Sequence, residues 1–243
     1  MRITARTDKG KVRSENQDDY RASIQEKGCA WAVVCDGMGG ASGGSTASAL
    51  AVSLIEEHCM QLRLCEKSPA DLVELAMQLV EDANRRVFHA AQQDRSLQGM
   101  GTTMIFTAIT GRMCCIASVG DSRAYLYREG VLCQLTKDHS MVQELVDKGV
   151  LSQQEAEHHP RKNVITRAVG IQPDIEADIL QLELLEGDIL LLCSDGLSNA
   201  LSSSDIEGIL RSETFYDTAE HLVDEVLKLD EQDNTTVVLI SMV

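Results

Sequence analysis

Three apolar runs in this 243-residue chain end in the same way: AWAVVC leads into Asp36 and Gly37, CCIASVG into Asp121, and ILLLCS into Asp195. Asp233 lies at the opposite border, just ahead of the apolar run beginning TTVVLI, and Asp18 sits in the N-terminal ENQDD. Taken singly, each is an ordinary turn residue, because aspartate bonds its own backbone well where strands end. Five of them at strand borders point instead to convergence. Brought together they would repel, and several would stay protonated unless cations lay between them. A donor set of oxygen alone, with no Cys or His, suits hard divalent ions such as Mg²⁺ or Mn²⁺. Gly37 has no Cβ, so its backbone carbonyl can approach an ion as a further ligand. The pattern predicts a centre holding more than one ion.

Paired cations about 3.5–4 Å apart generate hydroxide at neutral pH and neutralise charge during in-line attack at phosphorus. Arg13, just ahead of ENQDD, is the natural phosphate clamp, since a guanidinium meets phosphate oxygens with a two-pronged fork. Other routes to phosphate chemistry are missing. GMGGASGG lacks the Gly-Lys-Ser/Thr of a Walker loop, and Ser42 stands where a dinucleotide fingerprint needs its third glycine. Cys35 and Cys193 adjoin the aspartates, but the residues six places on are Ala41 and Asn199, not the arginine of a thiol phosphatase. Water is the evident nucleophile. His139 reads as structural and stays outside the catalytic set.

These residues need strands to carry them. Runs rich in β-branched residues predict strands over 29–35, 102–110, 113–119, 124–127, 189–193 and 235–242, with turns at Gly111 and at Arg128–Gly130. Ser68, Pro69 and Asp71 start a helix whose apolar face runs through Leu72, Ala76, Leu79, Val80, Ala83 and Val87. Ser152 with Glu155 forms a capping box, and Gly149 stops the helix that holds Met141, Leu145 and Val146. Further helices fit 42–60, 205–210 and 216–229. Successive strands in the middle of the chain, with helices grouped on either side, favour an antiparallel α+β sandwich over a βαβ alternation.

With 44% hydrophobic residues and no linker-like stretch, one domain over 1–243 is expected. The balance of 22 basic against 38 acidic residues gives a net charge of −16, which disfavours nucleic acid and anionic membrane surfaces. No run is long enough to cross a bilayer. The opening MRITARTDKG carries no apolar leader, so the eight cysteines are expected as free thiols in a reducing cytosol. Without a C-x-x-C, a zinc site is not expected.

Eight motifs in order carry a resemblance: RSENQDD (13–19), DGMGG (36–40), MGTT (100–103), GDSRAYLYREG (120–130), LTKDHS (135–140), ITRAVG (165–170), GDILLLCSDGL (187–197) and DNTTVVL (233–239). Together they resemble the bacterial metal-dependent serine/threonine protein phosphatases of type 2C, the PPM family. The resemblance implies a four-layer α/β/β/α sandwich, two antiparallel β-sheets flanked by antiparallel helices, with metals in a channel at one end. It implies that Asp36 bridges two ions, that the Gly37 carbonyl joins one, and that Asp195 and Asp233 hold the other. Asp18 would act on metal-bound water, Asp121 would bind a third ion, and Arg13 would bind phosphate. The segment 137–164 resembles the mobile flap beside the active site.

The implied activity is hydrolysis of phosphoserine and phosphothreonine in proteins by a metal-activated water, with two core Mn²⁺ or Mg²⁺ ions, a third ion besides, and no phosphoenzyme. The implied partners are phosphorylated proteins, among them a eukaryote-like serine/threonine kinase and its substrates. A cytoplasmic monomer is expected. One alternative is a non-catalytic pseudophosphatase that binds a phosphoprotein; another is a phosphatase acting on anti-sigma-factor antagonists. Some positions depart from the family pattern. Gln17 stands where animal relatives have a glutamate ligand, and Met38 where they have a histidine proposed as general acid. Ala41 and Ser45 replace a His and a Glu common in bacterial members.

Overall fold

The structure is a computed structural model that describes residues 1–26, 28–229 and 233–243; the side chains of Glu26, Ala41 and Ser42 also lie outside the description. The chain opens with β1 (Arg2–Asp8), β2 (Asp18–Glu26) and β3 (Cys29–Met38), followed by helices α1 (Gly40–Gln61) and α2 (Pro69–Gln93). Five strands come next: β4 (Gly101–Thr102), β5 (Met104–Thr110), β6 (Met113–Val119), β7 (Arg123–Arg128) and β8 (Val131–Gln134). Short helices α3 (Met141–Asp147) and α4 (Gln153–Glu157) precede β9 (Asp178–Glu183) and β10 (Ile189–Cys193). The chain then runs through α5 (Asp195–Ala200), α6 (Ser203–Ser212) and α7 (Phe215–Lys228) into β11 (Thr235–Ser241).

β3 reads as one apolar run because both of its faces are buried. Trp31, Val33 and Cys35 pack under α1 and α2, while Ala32 and Val34 face the other sheet. Side chains that alternate at period two thus serve two different cores. One sheet has the order β1-β11-β10-β7-β8, and the other β2-β3-β5-β6-β9 with β4 paired to β3; every pairing is antiparallel. Ile105, Ile116, Leu190, Leu192, Val238 and Ile240 fill the space between the sheets. Leu191, Cys193, Val237 and Leu239 turn the opposite way, onto Leu197, Leu222 and Val223 of the C-terminal helices. Three cores separate four layers, the α/β/β/α sandwich expected from the sequence.

Ser68 caps α2 in a reciprocal box with Asp71, Ser152 caps α4 with Glu155, and Ser202 does the same for α6 with Asp205. Gly111, Glu129 and Gly130 take positive φ at the expected hairpin turns, and Gly149 does so after α3.

Three expectations need correction. The sequence reading did not find β1, β2, β4, β8, β9 or α5. β1 and β2 carry charges on their outward faces, and Arg6 pairs with Asp224 of α7 at 2.7 Å, so neither strand presents an apolar run. β3 also continues past Asp36 to Met38, because β4 pairs with it there. The cysteines are not all free: Cys29, at the start of β3, is bonded to Cys65 in the short turn between α1 and α2. The other six are thiols, five of them buried and Cys133 exposed.

Candidate metal centre

The β2–β3 register sets Asp18 directly opposite Asp36. Asp121 lies in the connection from β6 to β7, Asp195 is the first residue of α5 after β10, and Asp233 stands two residues ahead of β11. Both sheets therefore deliver their aspartates to the same end of the sandwich. There a cavity of about 500 Å³ is lined by Arg13, Gln17, Asp36, Gly37, Met38, Asp121, Asn163, Asp195 and Asp233, among others. Asp18 lies beneath it, buried. All the residues expected from the sequence come together.

Each aspartate is held by neighbours. Asp36 is fixed through its backbone: its carbonyl accepts from Thr102 Oγ1 at 2.9 Å and from the Thr103 N–H at 2.8 Å, and its own N–H donates to Thr103 Oγ1 at 2.9 Å. Thr103 Oγ1 also meets Ser122 Oγ at 2.7 Å, which ties the Asp36 strand to the Asp121 turn. Asp195 Oδ2 accepts from Asn199 Nδ2 at 2.9 Å. Arg13 Nη2 donates to Asp233 Oδ2 at 2.7 Å. Asn234 pins the N-terminal loop, accepting from the Gln17 N–H at 2.8 Å and donating to the carbonyls of Lys9 and Glu15. Asp18 Oδ2 accepts from both Ser194 Oγ and Thr236 Oγ1, each at 2.7 Å.

The electrostatics are those of an acid cluster removed from water. Burial, together with Asp195 and Asp233, pushes Asp18 up to about 7 against the pull of its two hydroxyl donors. Burial and the surrounding aspartates, Asp18 first, push Asp36 well above the carboxylate range. Burial, Asp195 and Asp138 push Asp121 up to about 8. Arg13 is raised as well, held charged by its hydrogen bond to Asp233. Such a cluster invites cations, since a divalent ion relieves the repulsion that protons otherwise relieve.

The residues present fit hard cations. Asp18 Oδ1 is buried without a hydrogen-bond partner, an acceptor left for a hydrated ion. A Cβ on Gly37 would lie 2.0 Å from the Gly44 carbonyl oxygen of α1, so glycine is required for the helix start to close on this strand. That close approach is a packing reason for Gly37, beside the ligand reason read from the sequence. Among the described residues, no group of three His, Cys, Asp or Glu side chains forms a ready cage for one ion.

Sequence reasoning missed Ser194, Thr236, Thr103, Asn199 and Asn234, which hold the acids in place. All but Asn199 lie within the quoted motifs, so the signal was present. Gln17 lines the cavity and its side chain donates to Glu15 and to the Gly40 carbonyl, while Met38 brings no proton donor. His139 is buried, accepts the Gly120 N–H on Nδ1 at 3.0 Å, and returns its own N–H to the Gly120 carbonyl at 2.9 Å. It anchors the Asp121 turn and takes no place in the cavity lining. The base of the 137–164 segment is zipped by Met141 N–H to the Val164 carbonyl and Thr166 N–H to the His139 carbonyl. From that segment Asn163 reaches the cavity wall. The replacement at Ala41 falls on a side chain outside the description.

A double antiparallel sandwich carries, at one end, an oxygen-rich acidic pocket with an arginine at its rim. The family model for protein phosphatase 2C matches residues 8–232. Protein phosphatase PhpP of Streptococcus pneumoniae serotype 2 is 37% identical over 243 residues, covering 100% of this chain and 98% of that one. The Streptococcus agalactiae serine/threonine phosphatase structure superposes with a TM-score of 0.92 at 35% identity, covering 100% and 99% of the two chains. The catalytic domain of the phosphatase PstP, crystallised with 2 manganese ions, gives a TM-score of 0.86 at 33% identity, with 98% and 96% covered. This chain belongs to the protein phosphatase 2C family.

Proposed function

We propose that this chain, as a single domain over residues 1–243, hydrolyses phosphoserine and phosphothreonine in proteins with Mn²⁺ or Mg²⁺ as cofactor. The observation that carries the reading is the gathering of Asp36, Asp121, Asp195 and Asp233 with Arg13 around one cavity in a chain of this family. The manganese pair of the PstP structure supports the choice of ion. Asp36, the Gly37 carbonyl, Asp195 and Asp233 would hold two ions, with Asp18 acting through water and Asp121 serving a third. When bound, such ions supply hydroxide at neutral pH and offset the charge on the phosphoryl group.

The chain's own residues do the rest. Arg13, half exposed at the rim, offers its fork to phosphate oxygens. Asp18 Oδ1, free of other partners, takes the proton of the attacking water. Met38 cannot protonate the departing alkoxide, so that proton has to come from water or from another group of the site. Direct attack without a phosphoenzyme is supported by the thiols beside the site: burial pushes Cys193 up to about 12 and Cys35 well above its usual range, so neither supplies a thiolate.

Phosphorylated proteins are the substrates, and we place among them a serine/threonine kinase and the proteins it modifies. We read the protein as a cytoplasmic monomer; among the described residues no helix is long and apolar enough to cross a membrane. Phosphate release from a phosphothreonine peptide tests the reading, with Mn²⁺, with EDTA, and with Mn²⁺ after Asp195→Ala. Turnover is expected only in the first case. Absence of turnover from folded, manganese-loaded protein on several phosphopeptides would replace the enzyme by a phosphoprotein-binding pseudophosphatase.

A further inference from the structure

Thr7 of β1 and Thr236 of β11 are register partners, and their hydroxyls meet at 2.7 Å. Neither lines the metal cavity. The direction of that hydrogen bond follows from counting protons. A hydroxyl has one proton to give. Thr236 spends its proton on Asp18 Oδ2, 2.7 Å away, because a carboxylate oxygen can only accept. Thr7 must therefore be the donor to Thr236. With its proton spent, Thr7 Oγ1 accepts from Asn16 Nδ2 at 2.8 Å, and the carbonyl oxygen of the same Asn16 side chain accepts the Asp18 backbone N–H at 3.2 Å. The result is a closed ring, Asn16 to Thr7 to Thr236 to Asp18, in which every side-chain donor points toward one carboxylate oxygen. Ser194 adds a second donor to that oxygen, and its own lone pair is filled by the Thr236 N–H at 2.9 Å.

We propose that Thr236, backed by Thr7 and flanked by Ser194, is a positioning residue that fixes which oxygen of Asp18 faces the reacting water. Oδ2 is saturated by two hydroxyls, so the carboxylate cannot rotate without breaking both bonds, and Oδ1 is left as the basic oxygen. Aligned hydrogen bonds of this kind polarise one another, so the Thr7 hydroxyl acts on Asp18 through Thr236 without touching it. The proposal rests on the reading of Asp18 as proton acceptor given above.

The test uses p-nitrophenyl phosphate turnover with Mn²⁺, Mn²⁺ affinity by calorimetry, and melting temperature for Thr236→Val, Thr236→Ser, Thr7→Val and the Thr7→Val/Thr236→Val double variant. Thr236→Val is expected to lower kcat about 10- to 100-fold with KM held within about twofold, the scale of one lost hydrogen bond to a charged group. Thr236→Ser, which keeps the hydroxyl, is expected to restore kcat to within about threefold of wild type, a swap that removes only a methyl group. Thr7→Val is expected to lower kcat by a smaller factor, and by nothing further once Thr236 is Val, because the path between them is gone.

A kcat loss for Thr7→Val that persists undiminished in the double variant would overturn the relay. So would a Thr236→Ser variant as slow as Thr236→Val, or a loss that appears in KM or Mn²⁺ affinity with kcat intact. Should Thr236→Val fail to fold, the Thr236→Ser and Thr7→Val comparison still decides. Asp18→Asn separates the two levels of the argument. If it turns over like wild type, the role of Asp18 fails; if it is inactive while Thr236→Val is unimpaired, the relay alone fails.

Discussion

Arg13 and Gly37 place opposite demands on the site. Arg13 is half exposed and already engaged, donating to Asp233 at 2.7 Å, so the clamp that should meet phosphate is pre-aimed by a carboxylate of the metal centre. A guanidinium can keep that bond and still present its other nitrogens, whereas an ammonium offers a single point charge. Arg13→Ala is expected to raise KM for a phosphopeptide about tenfold or more, the loss of a charge-assisted bond, and Arg13→Lys to recover only part of it. Steady-state kinetics on one peptide checks both, and an unchanged KM in Arg13→Ala would remove the clamp from the mechanism. Gly37 acts through its missing atom. A Cβ there would sit 2.0 Å from the Gly44 carbonyl and 2.7 Å from that of Gln17, both backbone atoms that cannot swing aside. Gly37→Ala is expected to cost about 3 kcal/mol, a fall of roughly 6–12 °C in Tm at this chain length. Thermal unfolding monitored by circular dichroism reads it directly.

At the scale of elements, the connections do as much as the strands. The Asp121 turn is held by His139, whose Nδ1 accepts from the Gly120 N–H; a ring nitrogen that accepts carries no proton, so the ring is neutral, and its Nε2 lies between Asp178 Oδ2 at 3.3 Å and Arg167 Nη1 at 3.1 Å. Burial first, and the Arg167 guanidinium second, hold His139 below its ordinary range, with Asp178 and Asp138 opposing them. A group whose folded value is depressed contributes stability that is present above the unfolded value, near 6.5, and is lost as pH falls through the folded value. Protonation also takes away the acceptor for Gly120. Wild type should therefore lose stability from pH 7 downward faster than His139→Asn, which offers an uncharged acceptor at the same reach. Urea midpoints of the two proteins at pH 7.5 and pH 5 check this, and parallel midpoints would assign the acid loss elsewhere. The legibility of the elements has a similar physical basis. β3, β5, β6, β10 and β11 could be read because burial on both faces leaves them continuously apolar, and α2 because Ser68 and Asp71 announce its start. β1 and β2 could not, since Arg2, Arg6, Asp19 and Arg21 interrupt them on their outer faces. α5 was hidden by its length of six residues. The five aspartates were legible because they recur at strand borders, while Ser194, Thr236, Thr103 and Asn234 stood inside the same motifs with nothing in their own type or spacing to say which acid each would hold. The Cys29–Cys65 bond spans 36 positions and joins no recognisable cysteine motif, so spacing gave no sign of it.

Over the whole molecule, stability and function pull against each other at one end of the sandwich. The chain carries a net charge of −16, and the fold concentrates Asp18, Asp36, Asp121, Asp195 and Asp233 where two sheets meet. Without cations, this arrangement is paid for by the three hydrophobic cores, because buried like charges oppose the folded state. Cations that bind only the folded chain reverse the sign, adding stability that grows with the logarithm of their concentration. Asp36 lies at the centre of the repulsion, with Asp18, Asp195, Asp121 and Asp233 all acting on it. Asp36→Asn keeps the shape and removes the charge, so it should shift the two states in opposite directions. In EDTA the variant is expected to melt above wild type, because folding no longer has to protonate a buried carboxylate or hold it charged among its neighbours. In saturating Mn²⁺ it is expected to melt below wild type, by the ligand removed, and to lose turnover. Calorimetric melts of both proteins in both conditions check the pair of signs. A variant less stable than wild type in EDTA as well would mean that Asp36 contributes packing or hydrogen bonding beyond its charge. The opposed shifts would identify the carboxylate cluster as a binding site maintained at the expense of the metal-free fold.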